Sequence, residues 1–164
     1  MATTTRWLNS TQLRAWKNLS LMHGHLDARL SQELSNDGLS YPEYLVLATL
    51  SDAPRTRCRL VELARELGWE TSRTSHQVTR MCRRALVAKR NCPTDRRGAF
   101  VVLTDEGRHA IAAAAPHHVD LVRYLVIDAC TPEQLQTLDA VSRAILGRLR
   151  DEPSRAGTTR PCDQ

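Results

Sequence analysis

Aromatic side chains are scarce in this chain: one Phe, three Trp and three Tyr among 164 residues, or 4%. Sandwiches and barrels lean on aromatic and β-branched residues, so this shortage, beside abundant Ala, Leu, Val and Arg, favours helix. No apolar run approaches the roughly 18 to 20 residues that a membrane span requires. Met1 to Gln12 lacks the apolar core of a signal peptide, so a cytoplasmic protein without membrane association is expected. The five cysteines (Cys58, Cys82, Cys92, Cys130 and Cys162) are odd in number and show no CxxC spacing. That argues against a disulfide framework or a zinc knuckle and leaves free thiols as the expectation. No Ser-His-Asp order, glycine-rich phosphate loop or paired-carboxylate motif can be picked out, so enzymatic chemistry is disfavoured and no cofactor is expected.

What the chain does have is positive charge in one place. Residues 70 to 98 carry Arg73, Arg80, Arg83, Arg84, Lys89, Arg90, Arg96 and Arg97 against Glu70 and Asp95, whereas the whole chain is only +5. The segment therefore holds all of the net charge, as expected of a footprint for a polyanion rather than of a generally basic protein. With 41% hydrophobic residues, the chain is long enough for one compact core.

Apolar residues recur at helical spacing from Ser10 to Leu34 (Leu13, Trp16, Leu19, Met22, Leu26, Leu30, Leu34), predicting a long first helix that Asn36, Asp37 and Gly38 end. Ser40, Pro42 and Glu43 start a second helix through Leu50, followed by a loop over 51–57. Leu60 to Leu67 reads as a short amphipathic helix closed at Gly68, and another helix starts at Thr71 or Ser72 and runs to about Leu86. Two helices joined by a tight Gly turn make a helix-turn-helix. Val87 to Asn91 and Ala99 to Leu103 follow as strands of a hairpin with a cationic tip. Thr104 caps a further helix, with Asp105 and Glu106 in its first turn, a kink expected at Pro116 and a continuation through Val126. Thr131, Pro132, Glu133 and Gln134 start a last helix carrying Leu135, Leu138, Val141, Ile145 and Leu149. The composition after it predicts a disordered tail.

The run Leu103 to Gly107 (LTDEG), preceded by Asp95 to Val102 (DRRGAFVV) and Ser72 to Met81 (SRTSHQVTRM), closely resembles the MarR family of winged-helix transcription regulators, of actinobacterial type. The resemblance spans roughly residues 10 to 150. It implies a mainly α fold with a small β-wing, built as an intertwined helical homodimer whose two winged helices read palindromic double-stranded DNA. The expected organisation is an N-terminal dimerisation helix and a second helix over 10–55, a winged helix-turn-helix DNA-binding lobe over 56–104, C-terminal dimerisation helices over 105–150 and a disordered tail over 151–164. The resemblance further implies a repressor released by a small molecule, often an aromatic acid, bound between dimerisation helices and DNA-binding lobe.

The wing motif's Asp-x-Arg corresponds to Asp95 and Arg97, the arginine entering the minor groove, whose negative potential favours it. The helix from Ser72 would be the recognition helix, offering Ser72, Arg73, Thr74, Ser75, His76, Gln77, Arg80 and Arg84 to the major groove. Arg90, Arg96 and Arg97 would serve the flanking DNA; a solvated turn is the plain alternative for the last two, but their place behind a basic helix favours contact. Trp16 and His23 share a face of the first helix with Arg14 nearby, and these three are the expected ligand-binding residues, with core or interface packing as the alternative.

Two positions depart from the family pattern. Val61 stands where Ser or Thr usually caps the first helix of the helix-turn-helix, and Ala85 stands where Gly usually precedes the Leu-Val that opens the wing. His23, His25, His109, His117 and His118 raise a metal hypothesis, but no HExxH or clustered Cys/His spacing supports one. Cys92, beside Pro93 and basic neighbours, raises thiol-redox sensing or haem binding. Peroxide-sensing family members carry their reactive cysteine in the first helix, where this chain has none. A redox-responsive regulator and a constitutive DNA-binding protein without a ligand are the alternative readings.

Overall fold

A computed structural model of the protein describes residues 5–92 and 95–151, with the backbone alone at Arg55 and at residues 91, 92 and 95–98. The tail expected beyond 151 and Pro93 of the hairpin lie outside the described residues. The elements run α1 (Ser10–Asn36), α2 (Tyr41–Asp52), a single 3-10 turn (Pro54–Thr56), β1 (Arg57–Arg59), α3 (Leu60–Leu67), α4 (Thr71–Arg83), β2 (Val87–Cys92), β3 (Asp95–Leu103), α5 (Asp105–Val122), a wider π turn (Arg123–Ile127) and α6 (Pro132–Asp151). The chain divides into two compact units, residues 1–120 and residues 121–164.

Helix starts follow local rules. Asn9 accepts a hydrogen bond from the Gln12 amide at 2.9 Å while Gln12 accepts one from the Asn9 amide at 3.0 Å, closing a capping box at α1. Thr131 and Gln134 make the same reciprocal pair at α6. At α3, where Val61 supplies no oxygen, the cap moves to Glu62, whose carboxylate accepts from the Arg59 amide at 3.0 Å.

Three helix ends share one closure. After α1, α3 and α4 the chain turns back with a pair of amide-to-carbonyl bonds: Leu39 to Leu34 and Gly38 to Ser35; Trp69 to Ala64 and Gly68 to Arg65; Leu86 to Met81 and Ala85 to Cys82. This closure needs one residue in the left-handed region, supplied by Gly38 (φ 72°), Gly68 (φ 64°) and Ala85 (φ 57°). Ala85 thus carries a backbone cost of about 1 kcal/mol that Gly would not. It also ends α4 at Arg83, three residues before the expected Leu86.

The sheet has the order β1-β3-β2, all antiparallel. Sequence patterning predicts only two of these strands. β1 is three residues of Arg-Cys-Arg, too short to show alternation, and exists because Arg57, Cys58 and Arg59 pair with Val102, Val101 and Phe100. The hairpin strands also reach further into the wing than expected, to Cys92 and from Asp95, with an irregularity in register between Asn91 and Cys92. In the first unit Leu34, Leu47, Leu50, Leu63, Val78, Met81 and Val101 are fully buried and form the centre of the core.

Thr104 links wing and α5. Its hydroxyl lies 2.6 Å and 2.8 Å from the carbonyls of Ala85 and Leu86 and accepts from the Gly107 amide at 3.0 Å. α5 runs through Pro116 to Val122, and the i to i+5 bond from the Asp128 amide to the Arg123 carbonyl then widens the turn, where a plain helical continuation is expected from the sequence.

Two helical faces stay uncovered. On α1 only Leu30 and Leu34 are buried, while Leu13, Trp16, Leu19 and Met22 are exposed; on α6 Leu138, Val141, Ile145 and Leu149 are exposed and no residue is buried.

Candidate nucleic-acid interface

The amphipathic pattern of α4 follows from which residues meet the core. Val78 and Met81 are fully buried, so the side of the helix that they occupy is turned inward. Two residues expected to face DNA go with them. Thr74 is completely buried, its hydroxyl donating to the Glu70 carbonyl at 3.0 Å. Gln77 is 4% exposed, and its carbonyl oxygen accepts from the Arg80 guanidinium. Both correct the sequence reading, which took polarity as a sign of an outward face. Each is buried because it has a local hydrogen-bond partner that removes the desolvation cost.

The outward set is Ser72, Arg73, His76, Arg80 and Arg83, all exposed, with Ser75 half-buried. Of these, Arg73, His76, Arg80 and Arg83 line a basic hollow of about 520 Å3 along α4 together with Pro42, Trp69, Thr79 and the small accessible part of Gln77. The Arg73 guanidinium carbon lies over the Trp69 ring, 4.7 Å from its centroid. Trp69, which the sequence reading did not single out, lies at the helix-turn-helix turn and packs against the core.

Arg84 has a different setting from the one expected. One of its terminal nitrogens donates to both carboxylate oxygens of Glu43, at 2.8 Å and 2.9 Å, and the other donates to the Gly38 carbonyl at 2.9 Å. Glu43 is buried and also accepts from the Ser40 amide and hydroxyl, each at 2.9 Å. Arg84 thereby ties the end of α4 to the start of α2. Burial alone would raise the Glu43 pKa, but the bonds from Ser40 and Arg84 outweigh it and hold the carboxyl below its ordinary 4.5. A depressed folded-state pKa gives stability that is present above the unfolded value and lost as pH falls through the folded one. Glu43→Gln should therefore cost about 1–3 kcal/mol at neutral pH. It should also flatten the fall in melting temperature below about pH 4.5; a wild-type pH profile in the variant would refute this role.

On the wing, Lys89 donates to the Thr79 hydroxyl at 3.0 Å and Arg90 is exposed. Asp95, Arg96 and Arg97 have their backbone in β3, and their side chains lie outside the described residues, as does that of Cys92. Arg57 and Arg59 hold their guanidinium carbons 5.0 Å and 5.7 Å from the Phe100 ring centroid. These arginines precede the basic run of the sequence and reach the sheet only through the β1–β3 pairing.

The other expected sites separate. Trp16 and His23 line one open cavity of about 420 Å3 with Leu19, Ser20, Met22 and Leu26, whereas Arg14 is not in its wall and donates to the Thr11 hydroxyl at 3.5 Å. His117 pairs with Asp37 at 3.0 Å and His118 lies against Tyr44 with ring centroids 4.2 Å apart and planes tilted by 39°. Among the described residues no three His, Cys, Asp or Glu side chains come together as metal ligands would. Burial, with Glu62 and Glu66 nearby, pushes the Cys58 thiol up to about 11, so it stays protonated and unreactive at neutral pH. No described helix is long and apolar enough to cross a membrane.

Comparison with known proteins agrees with this geometry. A MarR family model matches residues 37–98, from the end of α1 to the wing. The transcriptional regulator HosA of Escherichia coli O111:H- is 33% identical over 105 residues, which are 63% of this chain and 73% of HosA. AbsC, a MarR family transcriptional regulator of Streptomyces coelicolor, is 39% identical over 90% of this chain and all of its own, with a TM-score of 0.87. Sco3205, a MarR family regulator of the same organism solved in complex with DNA, is 37% identical over 96% of this chain and 98% of its own, also at 0.87. The chain belongs to the MarR family of transcriptional regulators.

Proposed function

We propose that the protein is a cytoplasmic, homodimeric repressor that binds palindromic double-stranded DNA through α4 and the wing and is released by a small aromatic or apolar acid. The observation that carries the DNA reading is the outward row Ser72, Arg73, His76, Arg80 and Arg83 on the helix that follows the Gly68 turn, with a basic hairpin next to it. A row of cations on one exposed helix face suits the major groove and its phosphates, and the solved complex of Sco3205 with DNA supports the reading. Arg90, Arg96 and Arg97 would follow the flanking groove, with Asp95 orienting Arg97. We leave Thr74, Gln77 and Arg84 out of the contact set, as supports behind the surface.

The dimer is read from the exposed apolar stripes of α1 and α6, which a second copy would cover, so the first helix of 10–55 and the helices of 105–150 serve assembly and 56–104 serves DNA. The effector reading rests on the open, mostly apolar hollow that Trp16 and His23 line on α1, a surface suited to an apolar acid.

One set of titrations tests both parts. The protein should select a palindrome with half-sites roughly 10 bp between centres. Arg97→Ala should lower the slope of log affinity against log salt by about one unit if it meets a phosphate. Benzoate should weaken operator binding by roughly 5- to 150-fold if the coupling is of the usual size. Equal affinity for all duplexes at every salt concentration would sink the regulator reading. Benzoate binding that is indifferent to operator would sink the effector reading alone.

A further inference from the structure

The arginines of α4 and its end are held in two different ways. Arg84 uses the edge of its guanidinium on Glu43 and Gly38, and Arg80 uses part of its edge on Gln77. Arg73 is held otherwise: its guanidinium carbon lies 4.7 Å over the centre of the Trp69 ring, and among the described residues its side chain forms no ion pair or hydrogen bond. The difference matters because all five donors of a guanidinium lie in its plane. A contact with a ring uses none of these donors as a hydrogen bond to an acceptor would, and leaves the fork available to a second partner, whereas a carboxylate would occupy it. Trp69 is itself fixed, half-buried and packed against the core at the Gly68 turn. Arg73 also stands at the third position of α4, where the helix dipole disfavours a cation, in a first turn without an acid. Helix stability does not explain an arginine there.

We propose that Trp69 is a positioning residue that pre-organises Arg73, through a cation–π contact, to read a guanine by a bidentate contact to O6 and N7, making the pair the specificity determinant of the recognition helix. This rests on the DNA-binding reading above. An arginine held over a ring has fewer side-chain states to lose on binding, so the benefit falls on the base it fits and not on the phosphates that every sequence offers.

The test uses the full chain and the duplex it selects from random DNA, with all four base pairs placed in turn at each selected position. Trp69→Leu keeps apolar bulk and removes the ring. It should weaken binding about 2- to 5-fold for the preferred guanine, leave the other three base pairs unchanged and leave the salt slope as it was. Arg73→Ala should flatten the preference at the same position by about 5- to 150-fold, and adding Trp69→Leu to it should cause no further change. Trp69→Phe keeps a π face and should retain the preference; this separates the ring contact from packing even if the Leu variant folds poorly. Equal weakening on all four base pairs by Trp69→Leu, loss of preference in Trp69→Phe, or an Arg73→Ala variant with intact preference overturns the inference while DNA binding stands. If the wild-type chain selects no duplex at all, the DNA reading falls and this inference with it.

Discussion

Ile145→Asp should leave the protein monomeric at micromolar concentration and weaken binding to a two-half-site operator by about 10²- to 10⁴-fold, the loss expected when two linked contacts become one. Leu138, Val141, Ile145 and Leu149 recur at helical spacing on α6 and are between 37% and 61% exposed. That is a contiguous apolar row, and a second copy laid against it would resemble a core cut in two. A carboxylate at its centre would have to be desolvated without a partner on assembly, which is more than an interface of this kind tolerates. Sedimentation velocity reads the assembly and a salt-matched DNA titration reads the consequence. Should the variant unfold instead, the wild type still decides: its melting temperature must rise with concentration if folding and assembly are linked. A wild-type chain that sediments as a monomer, or an Ile145→Asp chain that still sediments as a dimer, would refute assembly through this row.

Gly107→Ala should destabilise the fold by about 3 kcal/mol, in the upper part of what overpacking costs, and lower the melting temperature by roughly 6 to 12 °C for a domain of this size. A Cβ built at Gly107 would lie 2.1 Å from the Leu86 carbonyl oxygen and 2.8 Å from Leu103 Cδ1. The backbone contact is the decisive one, because a carbonyl cannot rotate away as a side chain can. The same carbonyl is an acceptor for the Thr104 hydroxyl at 2.8 Å, so moving it breaks the cap that starts α5. The last glycine of the LTDEG run is therefore a packing requirement where α5 meets the end of α4. Gly24→Ala is the control: a Cβ added there meets nothing within 4 Å beyond its chain neighbours and the adjacent backbone of α1, and the change should stabilise by up to about 1 kcal/mol through helix propensity. Thermal unfolding of the two variants side by side checks both; a Gly107→Ala protein that melts with the wild type would mean that the close approach is not there.

What the sequence determined by itself was whatever depends on neighbours a few residues apart. Leu60 to Leu67 and its stop at Gly68, the Ser40–Glu43 start of α2, the Thr131–Gln134 start of α6 and the Thr104 cap are all interactions across three to five positions, and each is present where the pattern predicts it. The departure at Ala85 was legible as an Ala where the family pattern has Gly, and the left-handed φ of 57° there is what the Gly would serve. Tertiary structure decided which polar side chains are free to act. Thr74 and Gln77 look like surface residues in a helical pattern, yet a single hydrogen bond apiece makes burial affordable. Arg84 belongs to the basic run but is claimed by Glu43, 41 residues earlier. β1 and the pair Arg57 and Arg59 above Phe100 exist only through pairing with β3, some 40 residues on. The physical reason is common to all of them. Charge and periodicity say which residues could reach a partner, and only packing says which partner reaches them first.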